Sequence, residues 1–381
     1  MTTEHIACRP INPSQYLRVR MNAYPVPVPE GESAISSLIA GTDGRMYGAT
    51  SGRNCHIFSF CNILGKNIKV IQDIPGPASV VNSLAMDEDM NIYAGVNTCD
   101  ADGILHGTLY SMKIQVGSNL FEEAIGETSI SIERKLSVLN KPVAGEGILS
   151  LLYHGQTRSI IGITTPGAKL FKYSIEDGTC TVMAEGSSGQ GIVARKNGKL
   201  ISKHLVEVDG MIYGTGDGGH FFSFDAASGK LSCFSSHVPC MQVRRDWNSA
   251  ECLCKDESGN IYGGTTDGFL FKFSPCEDKL INFGKPSLES PINGLVYKEG
   301  FIYGVCGSKN GIADMFSYDL GKANFTDLGM INYIPCEGGE CDNDSLTPWS
   351  AWQIGVLAKD RFGTIYLGET DSKGHLFTLF I

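Results

Sequence analysis

The segment Asn260–Pro275, NIYGGTTDGFLFKFSP, reads as two short strands joined by a tight turn. It begins with an Ile-Tyr pair followed by small residues, and it ends in an alternation of apolar and aromatic side chains around Lys272. β-Branched and aromatic residues favour strands, and the Thr-Asp-Gly run between them favours a turn. The segment is therefore predicted to form one β-hairpin.

The same outline recurs along the whole chain. Each copy has an apolar residue, usually a tyrosine, small residues, a turn rich in Gly or Asp, and then an apolar residue and an aromatic. The seven copies are Arg45–Phe60, Asn91–Met112, Ser159–Ser174, Met211–Asp225, Asn260–Pro275, Phe301–Asp319 and Thr364–Phe380. An alternating run precedes each copy and a further strand follows most of them. Units of four strands, spaced by roughly 40 to 70 residues, are typical of propeller blades.

We therefore predict an all-β protein, a seven-bladed β-propeller of four-stranded antiparallel blades. The last copy ends at Ile381 with its third strand, so another segment must supply the outer strand of blade 7. Gln15–Asn22 (QYLRVRMN) is expected to do so and to close the ring, which leaves no open sheet edge. We expect one domain over residues 1–381, with blades near 34–78, 79–143, 144–196, 197–248, 249–289, 290–349 and 350–381.

The repeat resembles those of the seven-bladed β-propeller superfamily, in particular the WD-repeat-like and quinoprotein-like repeats, over nearly the whole chain. The Gly-His and Trp-Asp signature of WD repeats is absent, and so is the double glycine of kelch repeats. Some bacterial lyases use similar propellers, but no catalytic motif of theirs can be transferred to this sequence. The resemblance implies the fold alone.

Composition narrows the function classes. The net charge of −10 and the absence of a Lys/Arg block argue against a nucleic-acid partner. No segment approaches the roughly 18 apolar residues of a membrane span, and the N-terminus has no basic region followed by an apolar run. We therefore expect a cytoplasmic protein that does not bind membranes. Its 13 cysteines, an odd number, are expected to be mostly reduced and buried thiols.

Function is expected on one face of the ring. In such propellers the loops between second and third strands and the connections between blades share a face, called here the upper face. The sequence assigns most long segments to it: 97–107, Val116–Gly145, 185–199, 235–248, 306–314 and 332–349. Because loops are extended at little cost and often carry function, this one-sided distribution predicts that the upper face binds something.

His204 is the leading candidate for chemistry. It lies at the start of an innermost strand, and we align it with Asn82, Glu251 and Ser36 in other blades, near the top of the central channel. A histidine beside a glutamate suits a base oriented by a carboxylate, or a pair of metal ligands. A hydrated polar channel without chemistry is the alternative.

The blade connections supply candidate substrate-binding residues. Arg244 and Arg245 suit a substrate carboxylate, and Trp247 offers a flat face for a sugar or aromatic ring. Trp352 and Gln353, near Trp349, follow in the next long connection. Each tryptophan could equally wedge between blades.

The remaining candidates are histidines. His56, His220 and His375 share one repeat position, which favours a structural role, although His220 and His237 could also contact a substrate. Too few metal-binding side chains align with His204 and Glu251 for a tight site. We therefore expect no tightly bound metal, and at most a weakly held divalent cation.

Two hypotheses of function follow. The first is a lyase-like enzyme that acts on a small anionic or oligosaccharide substrate in a funnel on the upper face. In this hypothesis His204 transfers a proton and Glu251 orients the His204 ring. Arg244 or Arg245 neutralises a carboxylate of the substrate. The second is a non-catalytic scaffold that binds a protein partner or another ligand. The enzyme predicts a narrow polar funnel, whereas the scaffold predicts exposed apolar side chains at the upper rim.

Overall fold

Seven antiparallel sheets, arranged in a ring, make up this chain, so the predicted seven-bladed β-propeller is confirmed. The structure, a computed structural model, describes residues 19–62, 66–74, 78–79, 83–116, 130–132, 136–184, 203–244, 249–308, 311–333, 349–371 and 373–381. In blades 1 and 3 to 6 the strands pair in sequence order, and over these residues the inner strands of six of the seven neighbouring blade pairs lie against one another. Apolar side chains from facing blades form the core between them.

The strand bounds follow the predicted repeat. Before the first blade lies β1 (Arg20–Pro25), and blade 1 contains β2 (Ala34–Ala40), β3 (Met46–Ser51), β4 (Cys55–Cys61) and β5 (Lys66–Ile74). Blade 2 contains β6 (Ala78–Ser79), β7 (Leu84–Met86), β8 (Asn91–Cys99), β9 (Leu105–Val116), β10 (Ile130–Ile132) and β11 (Ser137–Asn140). Blade 3 contains β12 (Gly147–His154), β13 (Ser159–Thr165), β14 (Leu170–Ser174) and β15 (Cys180–Ala184).

The second half of the chain continues in the same way. Blade 4 contains β16 (Val206–Val208), β17 (Met211–Thr215), β18 (His220–Asp225) and β19 (Lys230–His237), and blade 5 contains β20 (Ala250–Lys255), β21 (Ile261–Thr265), β22 (Leu270–Ser274) and β23 (Lys279–Gly284). Blade 6 contains β24 (Ile292–Lys298), β25 (Phe301–Cys306), β26 (Asp314–Asp319) and β27 (Asn324–Met330). A short pair, β28 (Asn332–Tyr333) and β29 (Trp349–Ser350), precedes β30 (Ile354–Lys359), β31 (Ile365–Glu369) and β32 (His375–Phe380) of blade 7. Short 3-10 turns lie at Gly155–Thr157, Asp217–Gly219 and Pro275–Glu277.

An N-terminal strand completes blade 7. β1 pairs antiparallel with β32, from Arg20 opposite Phe380 to Pro25 opposite His375. Ala23 is fully buried in this seam against the core of blade 7. The predicted closing segment, Gln15–Asn22, overlaps this strand only from residue 20, and residues 15–18 lie outside the described part of the chain.

The repeated tyrosine holds a turn together in four blades. Its hydroxyl donates to an aspartate in the turn between the first and second strands, at 2.8 Å for Tyr47 to Asp43, 3.0 Å for Tyr93 to Asp87, 3.0 Å for Tyr262 to Asp256 and 2.9 Å for Tyr366 to Asp360. The other carboxylate oxygen accepts backbone N–H groups of the same turn, for example from Ser258 and Asn260. Burial first, and then Asp256, raise the pKa of Tyr262. The tyrosine and its aspartate are therefore folding elements of the repeat.

The glycine after this tyrosine also has a structural cause. Gly263 lies opposite Phe271 in the β21–β22 ladder, and a Cβ added to Gly263 would overlap the Phe271 ring. Gly304 has the same relationship to Phe316. The aromatic ring covers the backbone of the neighbouring strand, which explains why a small residue follows the tyrosine in the repeat.

The loops divide between two faces as the strand order requires. On the upper face, the Gly374 N–H of the blade 7 loop donates to Ser33 Oγ, just before blade 1, at 2.7 Å. One assignment from the sequence was wrong at its start: Val116, which pairs with Ile130, ends the third strand of blade 2 and so lies toward the lower face. Residues 117–129 lie outside the described part of the chain. The predicted upper segments 185–199, 245–248 and 334–348 lie outside the described residues.

Candidate functional site

A bulge near the upper end of the inner strand recurs in five blades. The strand pairing skips one residue there, and the residues skipped are Ser36, Leu149, Glu251, Asn293 and Gly355. Each lies three residues before the partner of the repeated tyrosine position, as Glu251 precedes Cys254, the partner of Tyr262. Bulges re-aim side chains and often lie next to functional sites. They define one equivalent position around the channel, called here the bulge position.

In blade 4 the bulge position belongs to Lys203. Tyr213 pairs with Val206, and counting back three residues reaches Lys203 rather than His204. The alignment of His204 with Glu251 was therefore wrong by one residue. His204 corresponds instead to Cys252 of blade 5, which is buried. Asn82, the equivalent residue of blade 2, lies outside the described residues.

Lys203 and Glu251 form an ion pair between adjacent blades. The Lys203 Nζ lies 2.6 Å from Glu251 Oε2. The other oxygen, Oε1, accepts hydrogen bonds from Thr266 Oγ1 at 2.9 Å and Ser249 Oγ at 3.3 Å. Burial would raise the pKa of the Glu251 carboxyl, but the ammonium and hydroxyl donors outweigh it and hold the pKa below its ordinary value. Glu251 is therefore an ionised, fully engaged carboxylate.

His204 lies close enough to Lys203 and Glu251 for both charges to shift its pKa. Burial, reinforced by the Lys203 ammonium and opposed by Glu251, lowers the pKa of His204 to about 4. The imidazole is therefore neutral at pH 7. A base with so low a pKa accepts a proton weakly, because general bases work best with a pKa near the operating pH.

Arg244 is engaged within the chain as well. Its Nη1 lies 3.1 Å from Asp267 Oδ1, and the other oxygen of Asp267 accepts the Met241 N–H at 3.3 Å. Asp267 directly follows Thr266, so one loop of blade 5 contacts both Arg244 and Glu251. Sequence reasoning missed Asp267, although it lies in the repeat's own turn. Arg245 and Trp247 lie outside the described residues.

The repeat-position histidines have structural partners. His56 lies opposite Asp73, His220 opposite His237 and His375 opposite Pro25, each at the start of a third strand. His56 Nδ1 is 2.7 Å from Asp73 Oδ1 and its Nε2 is 3.0 Å from Glu32 Oε2. His375 Nδ1 is 2.6 Å from Glu369 Oε2, and the rings of His220 and His237 are 5.6 Å apart. These contacts tie upper loops to their own blades.

Exposed apolar side chains are grouped in the upper loops of blades 4 to 7. The exposed fractions are 46% for Met241, 90% for Val243, 101% for Leu288, 40% for Ile312 and 57% for Trp352. We name residues 241–244, 267–268, 287–290, 311–313 and 351–353 the upper arc.

Close contacts link neighbouring parts of the upper arc. Arg244 contacts Asp267 as described above, and a Cβ on Gly268 would meet Ser290. A Cβ on Gly311 would meet the carboxylate of Glu289. The Ala313 N–H donates to the Ala351 carbonyl at 2.9 Å, next to Trp352. The loops of the upper arc are therefore neighbours on one side of the upper face.

The two predicted residues of the last connection differ in their surroundings. The Trp352 indole is exposed, and its backbone N–H donates to Asp371 Oδ2 at 3.1 Å. The Gln353 carbonyl accepts the N–H of Thr370 at 2.9 Å. Gln353 therefore helps to fix the loop, whereas Trp352 presents its ring outward.

Metal-binding clusters and membrane-spanning helices are both absent from the described part of the chain. Over those residues, no group of three or more His, Cys, Asp or Glu side chains is arranged to hold a metal ion. The cysteines that are described are free thiols, and burial raises the pKa of Cys254 to about 12. No helix among the described residues has the length and apolar character needed to span a bilayer.

Comparison with known proteins identifies the fold and no family. No family model matches the chain, and no curated protein matches it at a significant level. U3-55K shares 11% identity with a TM-score of 0.55, and the match covers 96% of this chain and 100% of that one.

Two further solved structures are extracellular domains from B. thetaiotaomicron, of BT3049 and BT4673, each described as a hybrid two-component system. They share 16% and 13% identity, with TM-scores of 0.53 and 0.57, over 91% and 96% of this chain. The matches span 40% of each of those two chains. At such low identity the likeness extends to the fold alone. By its strand order and by these comparisons, the chain is a seven-bladed β-propeller.

Proposed function

We propose that this propeller is a non-catalytic interaction protein that binds a protein partner on its upper arc. The observation that carries the proposal is the grouping of Met241, Val243, Leu288, Ile312 and Trp352, all exposed, in successive upper loops. Contiguous exposed apolar surface rimmed by polar residues is typical of protein interaction sites. Of the two hypotheses from the sequence, only the scaffold predicts it.

The composition of the arc fits a protein interface. Tryptophan and methionine are enriched in such interfaces, and a few aromatic side chains contribute most of the binding free energy. Trp352 is the aromatic member of the arc and is more than half exposed. Loops on a rigid ring keep these side chains in place, which lowers the entropic cost of binding.

The ionic groups that an enzyme would need are engaged elsewhere. Glu251 pairs with Lys203, and Arg244 pairs with Asp267. An anionic substrate would therefore compete with a protein carboxylate for Arg244. This internal neutralisation favours a binding role over proton-transfer chemistry.

Affinity purification with matched variants tests the proposal. The full chain, Leu288→Asp and Trp352→Ala are each used to capture binding proteins under identical conditions. Phe362→Ala is the control, because Phe362 is 54% exposed but lies in a turn of the lower face. The proposal requires a partner that the wild type and Phe362→Ala retain and that both arc variants lose. Equal recovery of every bound protein by all four chains would refute it.

A lyase-like activity is the second candidate, and one observation favours it. His204 is neutral at pH 7 and lies beside the Lys203–Glu251 pair, so it is available as a proton acceptor without prior deprotonation. Uronates and small carboxylic acids are the substrates to screen. Undiminished turnover of an identified substrate by His204→Ala would remove His204 from the reaction.

A further inference from the structure

Three carboxylates lie in or beside the blade 6 part of the upper arc, and Glu289 is the one that belongs to it. Asp314 begins the third strand of blade 6, Asp327 lies in the adjacent outer strand, and Glu289 comes from the connection before the blade. Burial raises the pKa of Asp314, a hydrogen bond from Ser287 opposes this, and the charges of Asp327 and Glu289 raise it further. Asp327 pairs with Phe316, two residues along the strand from Asp314, and the charges of Asp327 and Glu289 both act on the Asp314 carboxyl.

No internal cation neutralises this group within the described residues. None of the three carboxylates there has a Lys, Arg or His nitrogen within 4.0 Å. The contrast with Asp267 and Glu251, each held by a cation, is direct. Neighbouring carboxylates without a counter-ion repel one another, and a cation bound from outside the protein would relieve that repulsion.

Exposed apolar side chains flank the same carboxylates. Leu288, which precedes Glu289 in the chain, is fully exposed, and Ile312 is exposed two residues before Asp314. A metal ion or a small polyamine would leave these two side chains in water. A peptide that combines cationic and apolar side chains would cover them and neutralise the carboxylates together.

We propose that the segment seated on the upper arc is a basic peptide of the protein partner, in which lysine or arginine residues lie between apolar ones. The inference rests on the proposed function and specifies its partner. Its cations pair with Glu289, Asp314 and Asp327, and its apolar side chains cover Leu288 and Ile312. The net charge of −10 further favours the approach of a basic segment over an acidic one.

A phage-displayed library of random peptides, selected on the immobilised full chain, tests this chemistry. The proposal expects enrichment of peptides rich in Lys or Arg with apolar neighbours, and their binding must be lost in Leu288→Ser, which removes the apolar side chain without adding a charge. Enriched peptides that are acidic or uncharged would overturn the proposal. So would the absence of any enriched peptide that depends on Leu288.

The contribution of charge pairing to the affinity is measured by fluorescence anisotropy with a synthetic copy of one enriched peptide. The double variant Glu289→Gln with Asp327→Asn should bind it about tenfold more weakly, and its affinity should depend less on salt. The control double variant, Glu176→Gln with Asp102→Asn, makes the same change of charge away from the arc and should bind like the wild type. Circular dichroism confirms that each variant is folded. Equal binding by both double variants would overturn the charge pairing.

The two proposals fail in different ways. If a captured partner depends on Leu288 and Trp352 but its binding segment is not basic, the proposed function stands and this inference falls. If no partner depends on those residues, the interaction role itself falls, whatever peptides the library yields.

Discussion

The ammonium of Lys203 lies 2.6 Å from the carboxylate of Glu251, and this pair joins blade 4 to blade 5 at one repeat position. The five remaining equivalents are uncharged: Ser36, Leu149, Asn293, Gly355 and Asn82, of which Asn82 lies outside the described residues. The charges at this level of the ring thus cancel within the protein. The pair is best understood as an inter-blade contact.

Removing the lysine should therefore destabilise the fold. Lys203→Met leaves Glu251 buried without its counter-ion, and we expect a loss of about 1–2 kcal/mol in the free energy of unfolding, because the Lys203 side chain is partly exposed. Lys203→Arg keeps the charge and should lose less. Urea unfolding at pH 7 measures both. Equal stability of the Met variant and the wild type would contradict the structural role.

The same pair predicts a pH dependence. Because the folded-state pKa of Glu251 is lowered, its contribution to stability is present above the ordinary carboxyl pKa and is lost as pH falls through the lowered value. Lys203→Met should therefore show a smaller loss of stability than the wild type on the acid side of pH 4.5. A parallel acid limb in both chains would contradict this assignment.

His204 predicts a separate pH window. Its pKa of about 4 in the folded chain lies below the ordinary 6.5, so acid protonates the unfolded chain first. Stability should fall between pH 6.5 and 4, by up to about 3 kcal/mol, and this term should then level off. His204→Gln should flatten that window while leaving stability at pH 8 nearly unchanged. Unfolding curves at a series of pH values measure the slope, and an unchanged slope in the variant would refute the prediction.

The sequence predicts the architecture more fully than the site. The repeat is visible because Tyr262, Gly263 and Phe271 each meet a local requirement of one hairpin, and the same requirement returns in other blades. Site positions depend on register, which a bulge shifts by one residue without any local signal. That is why His204 was aligned where Lys203 belongs.

Ion pairs between separate segments are also hidden from sequence reasoning. Arg244 lies in the connection before blade 5, and Asp267 lies in a loop within blade 5. Their contact depends on how these two loops are placed in the folded chain. The sequence left two alternatives for the upper face, a narrow polar funnel or exposed apolar side chains, and did not decide between them. The long upper connections suggested a binding face, but exposure of Leu288 or Val243 follows from tertiary structure.

The tyrosine–aspartate contact of the repeat predicts a graded stability effect. Tyr262→Phe removes the hydrogen bond to Asp256 and should cost about 1 kcal/mol, whereas Asp256→Ala also removes the acceptor of two backbone N–H groups and should cost more. Tyr213→Phe is the control, since among the described residues the Tyr213 hydroxyl donates no hydrogen bond to an aspartate. A Tyr213 variant as destabilised as the Tyr262 variant would argue against this explanation of the repeat.

Ring closure predicts the effect of an N-terminal truncation. Removing residues 1–25 deletes the strand that pairs with His375–Phe380 and exposes an unpaired sheet edge, which should lower the melting temperature and promote aggregation. A truncation of residues 1–18 retains the paired strand and is the control. For a domain of this size, a change of 1 kcal/mol in stability shifts the melting temperature by about 2–4 °C. A melting temperature of the longer truncation within about a degree of that of the full chain would therefore contradict the closure.

Site-specific photo-crosslinking tests the interaction role most directly. A photoreactive amino acid replaces Leu288 on the upper arc in one chain and Phe362 on the lower face in a matched chain. Each chain is then irradiated in an extract of the cells that produce the protein. We predict a discrete covalent adduct with a second protein from position 288, absent from position 362 and competed away by an excess of unlabelled wild-type chain. The same adducts from both positions, or none from position 288, would contradict the proposal that the upper arc binds a protein partner.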